Sequence, residues 1–166
     1  NGDLINNTDF APTLLELAGA KAPDTMQGRS FVAALEGKPL KNWRTATYYR
    51  YWMHLMHHDN PAHFGIRTKD FKLIFYYGQA EKESTFGKPS MPWKTNSFRI
   101  EPTPAAWELY DLRTDPHENR NVYDDPTYRE IVVNLKQQLR QTREELHETD
   151  AKYPHIQKVI EAHWND

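Results

Sequence analysis

Residues 64–77 read Phe64-Gly-Ile-Arg-Thr68, then Lys69-Asp70, then Phe71-Lys-Leu-Ile-Phe-Tyr-Tyr77. Two runs rich in β-branched and aromatic residues flank a two-residue polar step. Such runs favour extended backbone, and a connection this short suits a tight antiparallel hairpin. Working outward, residues 45–52 (Thr-Ala-Thr-Tyr-Tyr-Arg-Tyr-Trp) and residues 107–112 (Trp-Glu-Leu-Tyr-Asp-Leu) have the same character, so about four strands are expected. A long helix is predicted from near Asp125-Pro126, because Tyr128, Ile131, Val132, Leu135, Leu139, Thr142 and Leu146 recur at three- and four-residue steps with charged residues between them. That stripe is wide enough to lie across one face of an antiparallel sheet. The expected fold class is therefore α+β, an antiparallel sheet of about four strands packed by a long C-terminal helix.

The first forty residues are of a different kind. Residues 8–19 begin with an Asn/Thr cap, carry Asp9 in the first turn and place Phe10, Leu14 and Leu17 on one face before Gly19, which reads as a short amphipathic helix. Pro12 is tolerable there only because it falls within about the first turn, where backbone donors are unpaired. A second short helix is expected near residues 30–35, closed by Gly37 and Pro39, and residues 154–164 suit another. Residues 78–106 are rich in Pro, Gly, Ser, Lys and Glu with no apolar period. A loop of that length is uncommon inside a compact domain and is usually functional or disordered.

Composition removes several function classes. The chain has 166 residues, enough for one ordinary domain with its own core, and a formal net charge of -2 with a sequence pI near 6.5. Its Lys and Arg are interspersed with Asp and Glu, so neither a nucleic-acid partner nor a polybasic membrane contact is expected. No Cys is present, which excludes disulfides, thiolate zinc sites and thiol nucleophiles within these residues and leaves the redox compartment unread. No apolar run approaches the roughly 20 residues of a membrane span, and the polar residues 1–7 do not have the layout of a signal peptide. They read as a lead-in to a helix, as in a chain that starts in the middle of a longer protein.

The densest polar constellation is His54, His57, His58 and His63, with Asp59 among them and Arg67 following. A loop with several imidazoles and an Asp can hydrogen-bond sugar hydroxyls or an anionic group at neutral pH. Two other readings stay open. His57, His58 and His63 could supply nitrogens to zinc, or the loop could be solvated with incidental histidines. Arg67 alternates into a strand in which Ile66 faces the core, which suits a structural ion pair, and Gly65 suits close backbone approach. Asp115-Pro116 reads as a turn opener, with Glu118 and Asn119 satisfying loop backbone.

Several of these stretches, taken in order, resemble type I sulfatases. Asn7-Thr-Asp-Phe-Ala-Pro-Thr-Leu-Leu-Glu-Leu-Ala-Gly19 followed by Gly28-Arg-Ser30 resembles the stretch that closes their large alkaline-phosphatase-like domain. His58-Asp-Asn-Pro-Ala-His-Phe-Gly-Ile-Arg-Thr68 with Phe71-Lys-Leu-Ile-Phe-Tyr-Tyr77 resembles the start of their small C-terminal subdomain. Glu108-Leu-Tyr-Asp-Leu112 with Asp115-Pro-His-Glu-Asn-Arg-Asn121 is similar to the turn before that subdomain's last helix. The likeness spans nearly the whole chain apart from residues 78–106.

The resemblance implies residues 1–40 as the helical remnant of the preceding catalytic domain, 41–150 as the subdomain with its insertion, and 151–166 as an extension. It implies a parent sulfuric ester hydrolase, exported from the cytosol, that acts on a sulfated carbohydrate with a formylglycine and calcium, both held by the missing N-terminal catalytic domain. Ser90-Met-Pro-Trp-Lys94 is the nearest likeness to a formylglycine motif, but Trp93 and Lys94 stand where a small hydroxyl residue and an Arg belong, and no Asp/Asn cluster here suits the metal. The subdomain's expected contribution is the pocket mouth, with His58 as first substrate-binding candidate and His63 as second, and no catalytic or metal residue. The alternative from another class is a free-standing glycan-binding module. Purified by itself, the chain is expected not to turn over an aryl sulfate, because binding groups do not replace a nucleophile and a metal. Turnover abolished by a substitution in this chain would show that a nucleophile had been missed.

Overall fold

The computed structural model describes residues 2–56, 58–82 and 100–166. The chain divides into two compact units, Asn1–Thr47 and Tyr48–Asp166.

The first unit contains a 3-10 turn, Asn7–Asp9, running into α1, Phe10–Leu17, and a short α2, Val32–Leu35. Its hub is Asp9, which is fully buried. The Asp9 carboxylate accepts the Asn6 N–H at 2.7 Å, the Arg29 N–H at 2.8 Å and Arg44 Nη2 at 2.7 Å. Burial alone would raise its pKa, but the Arg44 guanidinium and the two backbone donors hold it below the usual carboxylate value. Gly28 is needed beside this hub, since a Cβ there would lie 1.9 Å from the Thr8 carbonyl oxygen. The predicted stripe of α1 forms, and it faces outward: Phe10, Leu14 and Leu17 are 55%, 65% and 59% exposed.

The second unit is built on a four-stranded antiparallel sheet of β1, Ala46–Tyr51, β2, His63–Thr68, β3, Phe71–Tyr76, and β4, Ala106–Asp111, in the order β1-β2-β3-β4. The β2–β3 hairpin turns through Lys69 and Asp70, and its register places Phe64 opposite Phe75 and Ile66 opposite Leu73. β4 continues this, with Trp107 opposite Phe75 and Leu109 opposite Leu73. Because side chains alternate along a strand, these residues share one face, and Phe64, Ile66, Leu73, Phe75 and Leu109 are completely buried on it. The outer edge of β4 is closed by Asn121, whose side chain accepts the Leu109 N–H at 3.0 Å and donates to the Trp107 carbonyl at 3.3 Å. Covering an edge in this way removes a template for strand addition.

Helix α3, Arg129–Glu145, packs on the apolar face through Val132, Leu135, Leu139 and Arg143, and α4, Pro154–His163, adds Ile156 and Ile160. Its start lies where the sequence places it. Asp125 caps a 3-10 turn, Pro126–Tyr128, by accepting the Thr127 N–H at 3.0 Å. Among the described residues no helix is long and apolar enough to cross a membrane.

Three details depart from expectation. Arg143, not Thr142, occupies the last buried position of the α3 stripe, with its guanidinium 4.1 Å from the centre of the Phe64 ring and paired with the buried Asp150. A planar, weakly hydrated guanidinium can lie on an aromatic face where a hydroxyl would lack a partner. Arg67 is exposed and makes no ion pair among the described residues, since Lys72 stands opposite it. Lys72 instead pairs with Glu118 at 2.6 Å, so Glu118 serves an ion pair and not loop backbone. Of the predicted insertion, residues 83–99 lie outside the described residues, and Ser90-Met-Pro-Trp-Lys94 with them.

Two stability predictions follow from these contacts. Leu139 is fully buried and Leu135 nearly so. Leu135→Ala and Leu139→Ala should therefore each cost about 2–5 kcal/mol in chemical unfolding, and a loss below about 0.5 kcal/mol at both would show that α3 does not dock as described. Glu148 gives the second. Burial first, and the Asp150 carboxylate second, push it up to about 7, while Arg50 at 3.6 Å is too distant to reverse this. A carboxyl raised on folding contributes stability that is complete below the unfolded value near 4.5 and is lost as pH rises through about 7. Glu148→Gln should then gain urea resistance relative to the natural chain between those pH values. An unchanged difference across that window would contradict the burial of Glu148.

Candidate functional site

At the end of the sheet where β1 finishes, residues 52–56 and 58–62 belong to the connection that returns as β2. The Leu55 N–H donates to the Asn60 carbonyl at 2.9 Å and Met56 N–H to Met53 at 3.0 Å, which closes the loop locally. Leu55, His58 and Asp59 all have positive φ, at 55°, 56° and 52°. Three non-glycine residues in the left-handed region within so short a segment store backbone strain, and such strain concentrates at functional sites. His58 sits at this exposed tip, and its side chain makes no hydrogen bond or ion pair with the described residues.

His63 is placed differently. It is half-buried at the start of β2, stacked on Tyr51 at 5.5 Å, with Tyr76 at 5.0 Å and Tyr49 edge-on at 5.8 Å. Burial lowers its pKa, so the ring is neutral at pH 7. Nδ1 lies 2.7 Å from the Pro61 carbonyl, which assigns the proton to Nδ1 and leaves Nε2 as an acceptor. Gly65 explains why the rings fit: a Cβ there would lie 2.7 Å from the Tyr49 hydroxyl oxygen, so the expected close approach is that of a tyrosine ring as well as of the β3 backbone.

The same sheet face carries Glu108 and Tyr110, with the Tyr110 hydroxyl donating to the carboxylate at 3.0 Å. Burial and then this carboxylate raise Tyr110 to about 12, and both also raise Tyr76. These phenols are donors throughout the physiological range. One sheet face is thus an apolar core, and the other presents tyrosines, a neutral imidazole and a carboxylate.

The structure puts His58 and His63 at one end of the sheet but in separate environments, an exposed tip and an aromatic cluster. His57 lies outside the described residues, and among the described residues no three His, Asp or Glu side chains are grouped to hold a metal. Among the described residues, then, no grouping suits zinc or the calcium implied for the parent. Formylglycine has no Cys precursor in this chain, and Ser90 is outside the described residues. No step of ester cleavage is assigned to these residues.

Sequence reading passed over the tyrosine cluster and the role of His54, which is completely buried. The alternation Tyr49-Arg50-Tyr51 opposite His63 was the available signal.

A family profile, N-sulphoglucosamine sulphohydrolase, C-terminal, matches residues 1–103 and 83–145. The chain belongs to this family of sulfatase C-terminal regions. It is 34% identical over 146 residues to an N-acetylglucosamine-6-O-sulfatase of Bacteroides thetaiotaomicron, covering 87% of this chain and 22% of that protein. An ulvan-active sulfatase of Formosa agariphila is 31% identical over 141 residues, 81% of this chain and 28% of its own length. Among solved structures, a protein in complex with its substrate D-glucosamine-2-N,6-O-disulfate superposes with a TM-score of 0.66 at 33% identity, covering 87% of this chain and 25% of that one. A phosphonate monoester hydrolase of Agrobacterium radiobacter shares the fold at a TM-score of 0.53 and 23% identity, over 82% and 24% of the two chains. This sulfatase C-terminal region thus spans about a quarter of the length of the proteins it matches.

Proposed function

We propose that the chain is the C-terminal part of a sulfuric ester hydrolase acting on a sulfated carbohydrate, and that it contributes recognition of the sugar and not chemistry. The observation that carries this is the likeness, across most of the chain, to an N-acetylglucosamine sulfatase and to a protein solved with a disulfated glucosamine. A sulfated amino sugar is accordingly the substrate class. The formylglycine and calcium of the parent enzyme belong to the domain before this one.

Residues 1–40 are the tail of that catalytic domain, 41–150 the subdomain and 151–166 its extension. The outward stripe of Phe10, Leu14 and Leu17 supports this, because so large an apolar surface on one short helix calls for a covering partner. The same stripe disfavours a free-standing glycan-binding module.

Within the subdomain His58 is the first recognition residue and His63 the second. The exposed imidazole of His58 can donate to or accept from a sugar hydroxyl, and the strained loop tip holds it out into solvent. His63 offers a single acceptor, Nε2, beside aromatic rings of the kind that pack on the apolar faces of sugars. Binding energy from remote parts of a substrate supports turnover of that substrate alone. In the intact enzyme, His58→Ala should therefore lower kcat/KM for D-glucosamine-2-N,6-O-disulfate by about tenfold or more, while turnover of a small aryl sulfate and the calcium content stay unchanged. Equal loss with both substrates, or loss of metal, would place His58 in the catalytic machinery instead.

A further inference from the structure

His54 is the histidine of the loop that no recognition role absorbs. Its ring is completely buried, and both nitrogens are engaged. Nδ1 accepts the Ala62 N–H at 3.1 Å, and Nε2 lies 2.8 Å from the Glu101 carbonyl. Since Nδ1 must carry a lone pair for Ala62, the proton is on Nε2, which donates to Glu101. Ala62 is itself fully buried, and its carbonyl accepts the N–H groups of both Tyr77 and Gly78 at 3.1 Å. The Gly78 carbonyl in turn accepts the Thr103 N–H at 2.9 Å. A closed ring of hydrogen bonds therefore runs from His54 through Ala62 and Gly78 to Thr103, and back to His54 through Glu101.

This ring joins three segments distant in sequence: the loop that carries His58, the end of β3, and residues 101–103 leading to β4. His54 and Ala62 bracket the loop tip, so fixing both fixes the tip between them. Side-chain groups that contact a ligand need such supporting bonds to hold their geometry, and a small displacement is enough to lose recognition.

We infer that His54 is the positioning residue of the sugar-recognition loop, acting through its two backbone bonds to set where His58 is presented. This rests on the proposed contact between His58 and the sugar. No other side chain bridges Ala62 and residue 101 among the described residues, so its loss leaves a buried Ala62 N–H without an acceptor and removes the donor of the Glu101 carbonyl. Asn at this position can place an oxygen near the site of Nδ1 and keep the bond to Ala62, whereas Ala keeps neither bond.

The test uses the intact enzyme in five forms: natural, His54→Ala, His54→Asn, His58→Ala and the His54→Ala/His58→Ala double variant. Thermal unfolding first confirms that each variant is folded, and His54→Phe, which fills the space of the ring but makes neither bond, stands in if His54→Ala is not. Amide exchange at Ala62 should accelerate about tenfold or more in His54→Ala and recover in His54→Asn. KM for D-glucosamine-2-N,6-O-disulfate should rise about tenfold in His54→Ala with kcat and aryl sulfate turnover within about twofold, and a His54→Ala/His58→Ala double variant should be no worse than His58→Ala alone. Unchanged Ala62 exchange, an unchanged KM where His58→Ala has its effect, or additive losses in the double variant would each overturn the inference. If His58→Ala is itself silent, the recognition role of His58 has failed, and the Ala62 exchange result separately shows whether His54 fixes the loop.

Discussion

Arg50 is the residue on which the subdomain turns. Its side chain is 3% exposed, it pairs at 2.7 Å with Asp150, whose side chain is 1% exposed, and it lies 3.4 Å from the centre of the Trp52 ring. Its Nε donates to the Tyr77 hydroxyl at 3.3 Å, and that hydroxyl donates to the Tyr51 carbonyl at 3.2 Å. One buried guanidinium thereby connects β1, the residue after β3 and the turn between α3 and α4. A pair so deep gains little net stability over an apolar replacement, but removing one partner strands the other charge and costs about 3–5 kcal/mol. What it supplies here is position. It fixes the outward alternation of Tyr49 and Tyr51, and the Asp150 backbone carbonyl opens the turn into α4 by accepting the Tyr153 N–H at 2.8 Å.

That positioning produces a sheet with two unlike faces. Helices cover one face with leucine, valine and isoleucine, as the hydrophobic effect requires. The other carries Tyr49, Tyr51, His63, Tyr76, Glu108 and Tyr110, and there burial raises the phenols of Tyr49, Tyr76 and Tyr110 and lowers the His63 imidazole, which keeps those four groups neutral.

The elements that were legible in the sequence are those set by local pattern. The β2–β3 hairpin, the other two strands and α3 all lie within a few residues of where residue type and period place them, because strand composition and helical spacing are read within a dozen residues. The apolar stripe of α1 was equally readable, though not the direction it faces. What escaped depends on partners far apart in the chain. Arg50 and Asp150 are too far apart for any periodicity to join them, and His54 finds its acceptor at Glu101 across the long insertion. Arg67 failed in the opposite sense, since a charge with no opposite number across the strand has nothing to pair with. Nor could spacing separate His58 from His63, because one stands at an exposed loop tip and the other at the start of β2, on the face that carries the tyrosines.

The tie between Gly78 and Thr103 has a consequence for how this fold can vary. β3 and β4 are neighbours in the sheet, yet residues 77–105 separate them in the chain. Closing a flexible loop costs entropy that grows only logarithmically with its length, about 0.6 kcal/mol for each doubling. Because the bond lies at the root of the segment, residues added beyond it leave the sheet register untouched. The number and kind of residues between Gly78 and Thr103 can therefore change at little thermodynamic cost and without retuning the core.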